Sequence, residues 1–159
     1  MRIFALSLVL LSTSFAQEEK KVDARFEKLK KLAGDWLAEG SKDVAVTYRI
    51  SAGGSTVVET LFPGAPHEMM SMYTMDGAEV RMTHYCVMGN QPSMKAGKLD
   101  GNKLPFVCDK LGGGKETDAH MHAAVLTFTD DDHLAHEWTM SKDGKDGEVK
   151  KFALVRAKK

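Results

Sequence analysis

The sequence predicts a single all-β domain, an up-and-down antiparallel β-barrel of about ten strands preceded by a short N-terminal helix. The chain has 159 residues, which is enough for one hydrophobic core and too few for two cores of ordinary size. From Gly34 onward, apolar and polar residues alternate with the period of two that is typical of β-strands. Short turn sequences such as Pro63-Gly64 and Asp76-Gly77 separate the alternating runs, as expected for strands joined by hairpins.

Helical spacing precedes the strands. Phe26, Leu29 and Leu32 are apolar positions three or four residues apart among Lys and Glu, so a helix is expected over residues 22–33, ending at Gly34. A closed barrel is expected because closure removes the exposed edges of a strand meander. The predicted strands cover residues 35–40, 43–51, 55–62, 66–75, 78–88, 92–99, 103–109, 119–128, 133–141 and 148–156.

The first residues have the pattern of a secretory signal peptide. Arg2 forms a short basic region, residues 3–11 are apolar, and Ser14-Phe15-Ala16 places small residues where a signal peptidase cleaves. The chain is therefore divided into a signal peptide at 1–16, a charged leader and helix at 17–33, and the barrel domain at 34–159. We expect an exported protein, periplasmic or secreted, with no membrane anchor after cleavage because the apolar run is too short to span a bilayer.

The charge balance argues against a nucleic-acid partner. The chain has 22 Lys and Arg against 22 Asp and Glu, and removal of the signal peptide changes the formal charge only to −1. Nucleic-acid-binding domains usually carry a strong basic excess. The unusual counts are 10 Met and 6 His beside 2 Cys, and the positions of these residues in the fold bear on function.

The two cysteines leave a disulfide open. Export would permit oxidation, and Cys86 and Cys108 are the two candidates. They are predicted on strands that are two apart in the sheet, about 9.5 Å at the usual strand spacing, whereas bridged Cα atoms lie within about 7 Å. A bridge and two buried free thiols therefore both remain alternatives.

Alternation along the strands places most histidines on one face, which we expect to line the interior. A hairpin turn at Asp76-Gly77 would pair Met75 with Ala78 and place His67 opposite Cys86. The opposite face carries Glu68, Glu79 and Arg81, which prefer water. Buried imidazoles need hydrogen-bond partners, so the histidines of an interior cluster are expected to bond to one another, to water or to a ligand. The predicted ligand-binding residues are Met69, Tyr73, His84, Cys86, His120, His122 and His136.

Three interpretations of this histidine set remain open. The first is a cavity that binds a small, mostly apolar molecule, for which a flexible methionine lining is well suited. The second is a metal site, with His84, His120 and His122 as ligands, because imidazole is a preferred ligand of zinc, copper and iron. The third is a structural or interaction domain without a ligand. No cofactor is required by the sequence, although a transition metal or haem fits the second interpretation.

No catalytic residue is assigned, and an enzyme is the less favoured interpretation. Residues 112–115 contain three glycines and a lysine but lack the spacing of a phosphate-binding loop. Cys86 lies beside His84, yet no oxyanion donor accompanies them. Glu59 would supply an acid or base only if the strand register were shifted by one residue.

The two ends of the predicted barrel carry a family resemblance. Gly34-Asp35-Trp36 opens the first strand and Arg156 ends the last, which is similar to the calycin superfamily of lipocalins, fatty-acid-binding proteins and nitrobindins. This resemblance implies that Arg156 packs over Trp36 to close one end, with Gly34 beside them. Residues 83–92, 120–122 and 132–138 also resemble a bacterial family of exported lipocalin-like proteins of unknown function, which implies a fold but no reaction. In nitrobindins a late histidine binds haem iron, and the corresponding candidates are His120, His122 and His136.

Overall fold

The computed structural model describes residues 23–158, and the predicted signal peptide lies outside this range. Within this range, one short helix, α1 (Ala24–Lys30), is followed by ten strands, and a 3-10 turn lies at Ala52–Gly54. The strands are β1 (Gly34–Ala38), β2 (Val44–Ser51), β3 (Thr56–Leu61), β4 (Met69–Asp76), β5 (Glu79–Tyr85), β6 (Gln91–Ala96), β7 (Lys103–Gly112), β8 (His120–Phe128), β9 (His133–Lys142) and β10 (Lys145–Arg156).

The strands form a closed barrel in which every neighbouring pair is antiparallel. Each strand is hydrogen-bonded to the next one in the chain, and β10 pairs with β1 to complete the ring. Both the all-β class and the ten-strand up-and-down barrel are confirmed. Closure satisfies the backbone groups that an open sheet would leave at its edges. The helix in the described part of the chain is too short to span a bilayer.

One end of the barrel is closed by α1 and by Arg156. Asp23 caps the helix by accepting a hydrogen bond from the backbone of Arg25, and Phe26 and Leu29 are buried against the barrel. The Arg156 guanidinium lies 4.3 Å from the centre of the Trp36 ring, within the range of a cation–π contact. It also donates hydrogen bonds to the carbonyl oxygens of Lys31, Ala33 and Asp131.

Gly34 begins the first strand at this closed end. Its φ of +130° is a backbone conformation that other residues rarely adopt. A Cβ atom at this position would lie 3.4 Å from Nη1 of Arg156. The backbone conformation therefore favours glycine where the first strand begins, whereas a Cβ atom would make only an ordinary contact with Arg156.

The hairpin between β4 and β5 differs in register from the prediction. Met75 pairs with Val80, and Asp76 pairs with Glu79, so the turn residues are Gly77 and Ala78. The predicted pairing of Met75 with Ala78 is wrong by two residues. Because side chains alternate with a period of two, this even shift leaves Tyr73 and His84 on the interior face.

Candidate functional site

A row of polar side chains crosses the barrel interior at one level. Tyr48 on β2 is paired with Glu59 on β3, which is paired with Ser71 on β4. Ser71 is paired in turn with His84 on β5. Each of these four residues, which we call the polar row, is at most 1% exposed. Directly paired residues have Cβ atoms about 5 Å apart, so the row forms a continuous polar strip within an apolar core.

The carboxyl group of Glu59 accepts hydrogen bonds from two tyrosines. The Tyr48 hydroxyl donates to Oε1 over 2.6 Å, and the Tyr73 hydroxyl donates to Oε2 over 3.1 Å. Burial raises the pKa of Tyr48 and Tyr73 well above 10.0, and the charge of Glu59 raises it further, so both hydroxyls keep their hydrogens. These charge-assisted bonds offset part of the cost of removing a carboxylate from water.

His136 on β9 reaches the polar row from another part of the barrel wall. Its Nε2 atom lies 2.7 Å from the Tyr48 hydroxyl oxygen. Because the hydrogen of Tyr48 is directed at Glu59, Nε2 of His136 must donate to that oxygen. Burial lowers the pKa of His136 from 6.5, and the charge of Glu59 only partly opposes this effect, so the ring is neutral near pH 7.

His84 ends the polar row at the wall of a cavity. Its Nδ1 atom lies 3.0 Å from the Ser71 hydroxyl oxygen, and its ring contacts the Trp138 indole with centroids 4.8 Å apart. Its Nε2 atom is buried and has no hydrogen-bond partner among residues 23–158. Burial lowers the pKa of His84 from 6.5, so this ring too is neutral near pH 7. His84 is therefore a lining residue of the cavity that also carries a buried nitrogen without a partner in the described part of the chain.

The cavity has a volume of about 50 Å³ and lies at the end of the barrel opposite α1. Leu61, His84 and Trp138 are its buried members, and the exposed Lys150 lies at its rim. The Lys150 ammonium group donates to Glu148 over 2.7 Å. Apart from His84 and Lys150 the lining is apolar, and consists of Leu61, Phe62, Met69, Met121, Trp138 and Phe152.

The predicted binding residues fall into separate places. Met69, His84 and the cavity lie together, whereas Tyr73 and His136 belong to the hydrogen-bonded group around Glu59. Cys86 is buried in the turn that follows β5, and His67, which was expected on the interior face, is exposed.

His120 and His122 line a second, more open cleft. The pairing of β7 with β8 ends at Val107 and Ala123, and beyond this point the two strands separate around a cleft of about 270 Å³. His122 is an extra residue in a β-bulge between Met121 and Ala123. The bulge interrupts the alternation on which the prediction depended, so Met121 lines the cavity beside Trp138 where His122 was expected.

The structure does not bring the three proposed metal ligands together. His84 borders the small cavity, whereas His120 and His122 border the cleft, where their ring centroids are 5.6 Å apart. Within residues 23–158, no three His, Cys, Asp or Glu side chains converge in a way that could hold a metal ion. Cys86 and Cys108 are free thiols, so the disulfide that the sequence left open is not formed.

Glu59 is the residue that the sequence interpretation missed. It shares the inward face of β3 with Val57 and Leu61, and this apolar pair was the available signal. The arrangement can hold a small apolar molecule against a neutral imidazole, and it keeps the buried carboxylate bonded to two phenols. Neither the family models nor the curated proteins with which the chain was compared give a match.

Proposed function

We propose that the protein is an exported, calycin-like barrel that binds a small, mostly apolar molecule in the cavity beside His84. The closed ten-strand barrel and the packing of Arg156 over Trp36 support the calycin-like assignment. The basic and apolar pattern of residues 1–16 supports export to the periplasm or the medium.

The observation that carries the proposal is the unpartnered Nε2 atom of His84. This atom is buried, and it belongs to a residue that lines an otherwise apolar cavity. A buried polar group without a hydrogen bond costs about 1–3 kcal/mol, and a ligand that bonded to it would recover much of that cost. The Trp138 ring provides a flat apolar surface next to the His84 ring.

The dimensions of the cavity limit the size of the ligand. Its volume of about 50 Å³ accommodates only a few non-hydrogen atoms as it stands. Met69 and Met121 are part of the lining, and unbranched thioether side chains adapt readily to the shape of a ligand. A molecule as large as a five-membered ring would therefore enter by displacing these two side chains.

Methyl NMR tests the proposal. In protein labelled with ¹³C at the methionine methyl groups, addition of cyclopentane or cyclopentanone should shift the Met69 and Met121 signals in a saturable manner. The signals of Met94, which is buried in another layer of the interior, and of Met88, which is exposed, should stay in place.

A filled cavity is the matching control. Met69→Trp should abolish the shift of Met121, whereas Met88→Trp, which adds the same ring on the surface, should leave the titration unchanged. Saturable shifts that persist in Met69→Trp, or the absence of any shift in the natural sequence, would overturn the proposal.

A further inference from the structure

We infer that the cavity selects a molecule that presents a hydrogen-bond acceptor, such as a carbonyl oxygen, to Nε2 of His84. This inference rests on the proposed binding function and adds the chemical class of the ligand. It follows from the number of hydrogens available to Ser71 and His84, which are adjacent in the polar row.

Ser71 fixes the direction of the hydrogen bond. Its side chain is wholly buried, and its hydroxyl group has one hydrogen to donate. Among residues 23–158, the Ser71 hydroxyl has one hydrogen-bond partner, which is Nδ1 of His84 at 3.0 Å. If Nδ1 carried a hydrogen and donated, the hydroxyl hydrogen of Ser71 would have no acceptor. Ser71 therefore donates, and Nδ1 accepts.

The tautomer of His84 follows from this direction. A neutral imidazole carries one hydrogen, and an accepting Nδ1 places that hydrogen on Nε2. Burial keeps the ring neutral near pH 7 by lowering its pKa. Nε2 is therefore an N–H donor, and it is the atom of this cavity-lining residue that has no partner among residues 23–158.

A donor on a lining residue of an apolar cavity would discriminate between ligands of the same size once the ligand has displaced Met69 and Met121. A ketone, aldehyde or ester oxygen accepts from Nε2 while the rest of the molecule contacts Trp138 and the apolar lining. A ligand that has only an N–H donor at this position leaves two hydrogens facing each other. Sites that are built to bond a polar group discriminate strongly against analogues that cannot bond.

Three five-membered rings provide the test. Cyclopentanone offers an acceptor, pyrrole offers a donor, and cyclopentane offers neither. Binding measured by methionine methyl NMR should be tightest for cyclopentanone, by about 10-fold over pyrrole, with cyclopentane between them. Long-range ¹H–¹⁵N correlation spectra of the free protein should show the hydrogen of His84 on Nε2.

Ser71 is a positioning residue, and its variants separate this role from a structural one. Ser71→Ala removes the group that fixes the tautomer, so the preference for cyclopentanone over pyrrole should fall to about 3-fold or less. Ser71→Thr keeps a hydroxyl and should restore both the preference and the Nε2 tautomer. Ser93→Ala removes a hydroxyl from another strand, where it accepts from Arg81, and should change neither.

The outcomes distinguish this inference from the proposal on which it rests. If none of the three rings binds, the binding function itself is wrong. If the rings bind but the affinity for pyrrole equals or exceeds the affinity for cyclopentanone, the binding function stands and the acceptor preference is wrong. The same conclusion follows if the hydrogen of His84 is on Nδ1. A two-dimensional amide spectrum of each variant checks that the barrel is intact.

Discussion

The Tyr48 hydroxyl donates its hydrogen to Glu59 over 2.6 Å while its oxygen accepts the Nε2 hydrogen of His136 over 2.7 Å. One phenol thus joins a buried carboxylate to a buried imidazole, and β2, β3 and β9 meet through it. Tyr73 bonds to the other oxygen of Glu59 and to no further member of this group in the described part of the chain. The two tyrosines therefore differ in the number of partners that depend on them.

Replacement of Tyr48 should destabilise the protein more than replacement of Tyr73. Tyr48→Phe leaves Glu59 Oε1 and His136 Nε2 without partners, which should cost about 3–5 kcal/mol. Tyr73→Phe removes one bond from Glu59 and should cost about 1–3 kcal/mol. Urea unfolding followed by circular dichroism gives both values. Equal costs, or a larger cost for Tyr73→Phe, would contradict the assigned hydrogen-bond network.

Stability should fall on mild acidification. Burial lowers the pKa of His84 and His136 below 6.5, so the unfolded chain binds more protons than the native protein between the lowered pKa values and 6.5. The free energy of unfolding is therefore fully maintained above 6.5 and decreases as the pH falls below it. Each histidine contributes a slope of at most about 1.4 kcal/mol per pH unit.

The slope can be assigned to one histidine by substitution. His84→Gln removes one titrating group, so the decrease in unfolding free energy between about pH 6.5 and about pH 5 should be smaller than in the natural sequence. Urea unfolding at a series of pH values measures both slopes. An unchanged slope in the variant, or greater stability at the lower pH, would show that His84 is not held neutral by burial.

Strand periodicity was sufficient to predict the fold and part of the site. Alternation on β4 and β5 placed Tyr73 and His84 inside even though the turn was shifted to Gly77 and Ala78, because a shift of two residues preserves the face. Gly77 has a φ of +59°, which favours glycine at this turn position. The residues between β4 and β5 are compatible both with the predicted pairing of Met75 with Ala78 and with the observed pairing of Met75 with Val80.

The remaining features depend on tertiary structure. The bulge at His122 changes which of its neighbours faces the cavity, and nothing in the local residue pattern marks its position. Glu59 was expected to face inward only after a register shift, because an isolated buried carboxylate is costly. Its partners come from β2 and β4, and their proximity to Glu59 depends on the pairing of the strands.

Even a conservative substitution of Arg156 should lower the free energy of unfolding. Arg156→Lys keeps the charge but cannot donate to three carbonyl oxygens while stacking on Trp36, so it should cost about 2 kcal/mol in unfolding free energy. Arg49→Lys, on the exposed part of β2, should cost less than about 0.5 kcal/mol. Equal effects in urea unfolding would mean that the closed end of the barrel does not depend on the guanidinium group.

Native mass spectrometry of protein purified from its natural source tests the binding function most directly. The account predicts the mass of the chain plus one small organic molecule, which is retained in Met88→Trp and lost in Met69→Trp because the new indole fills the cavity. The mass of the chain alone in all three proteins, or an added mass equal to a metal ion or haem, would contradict it.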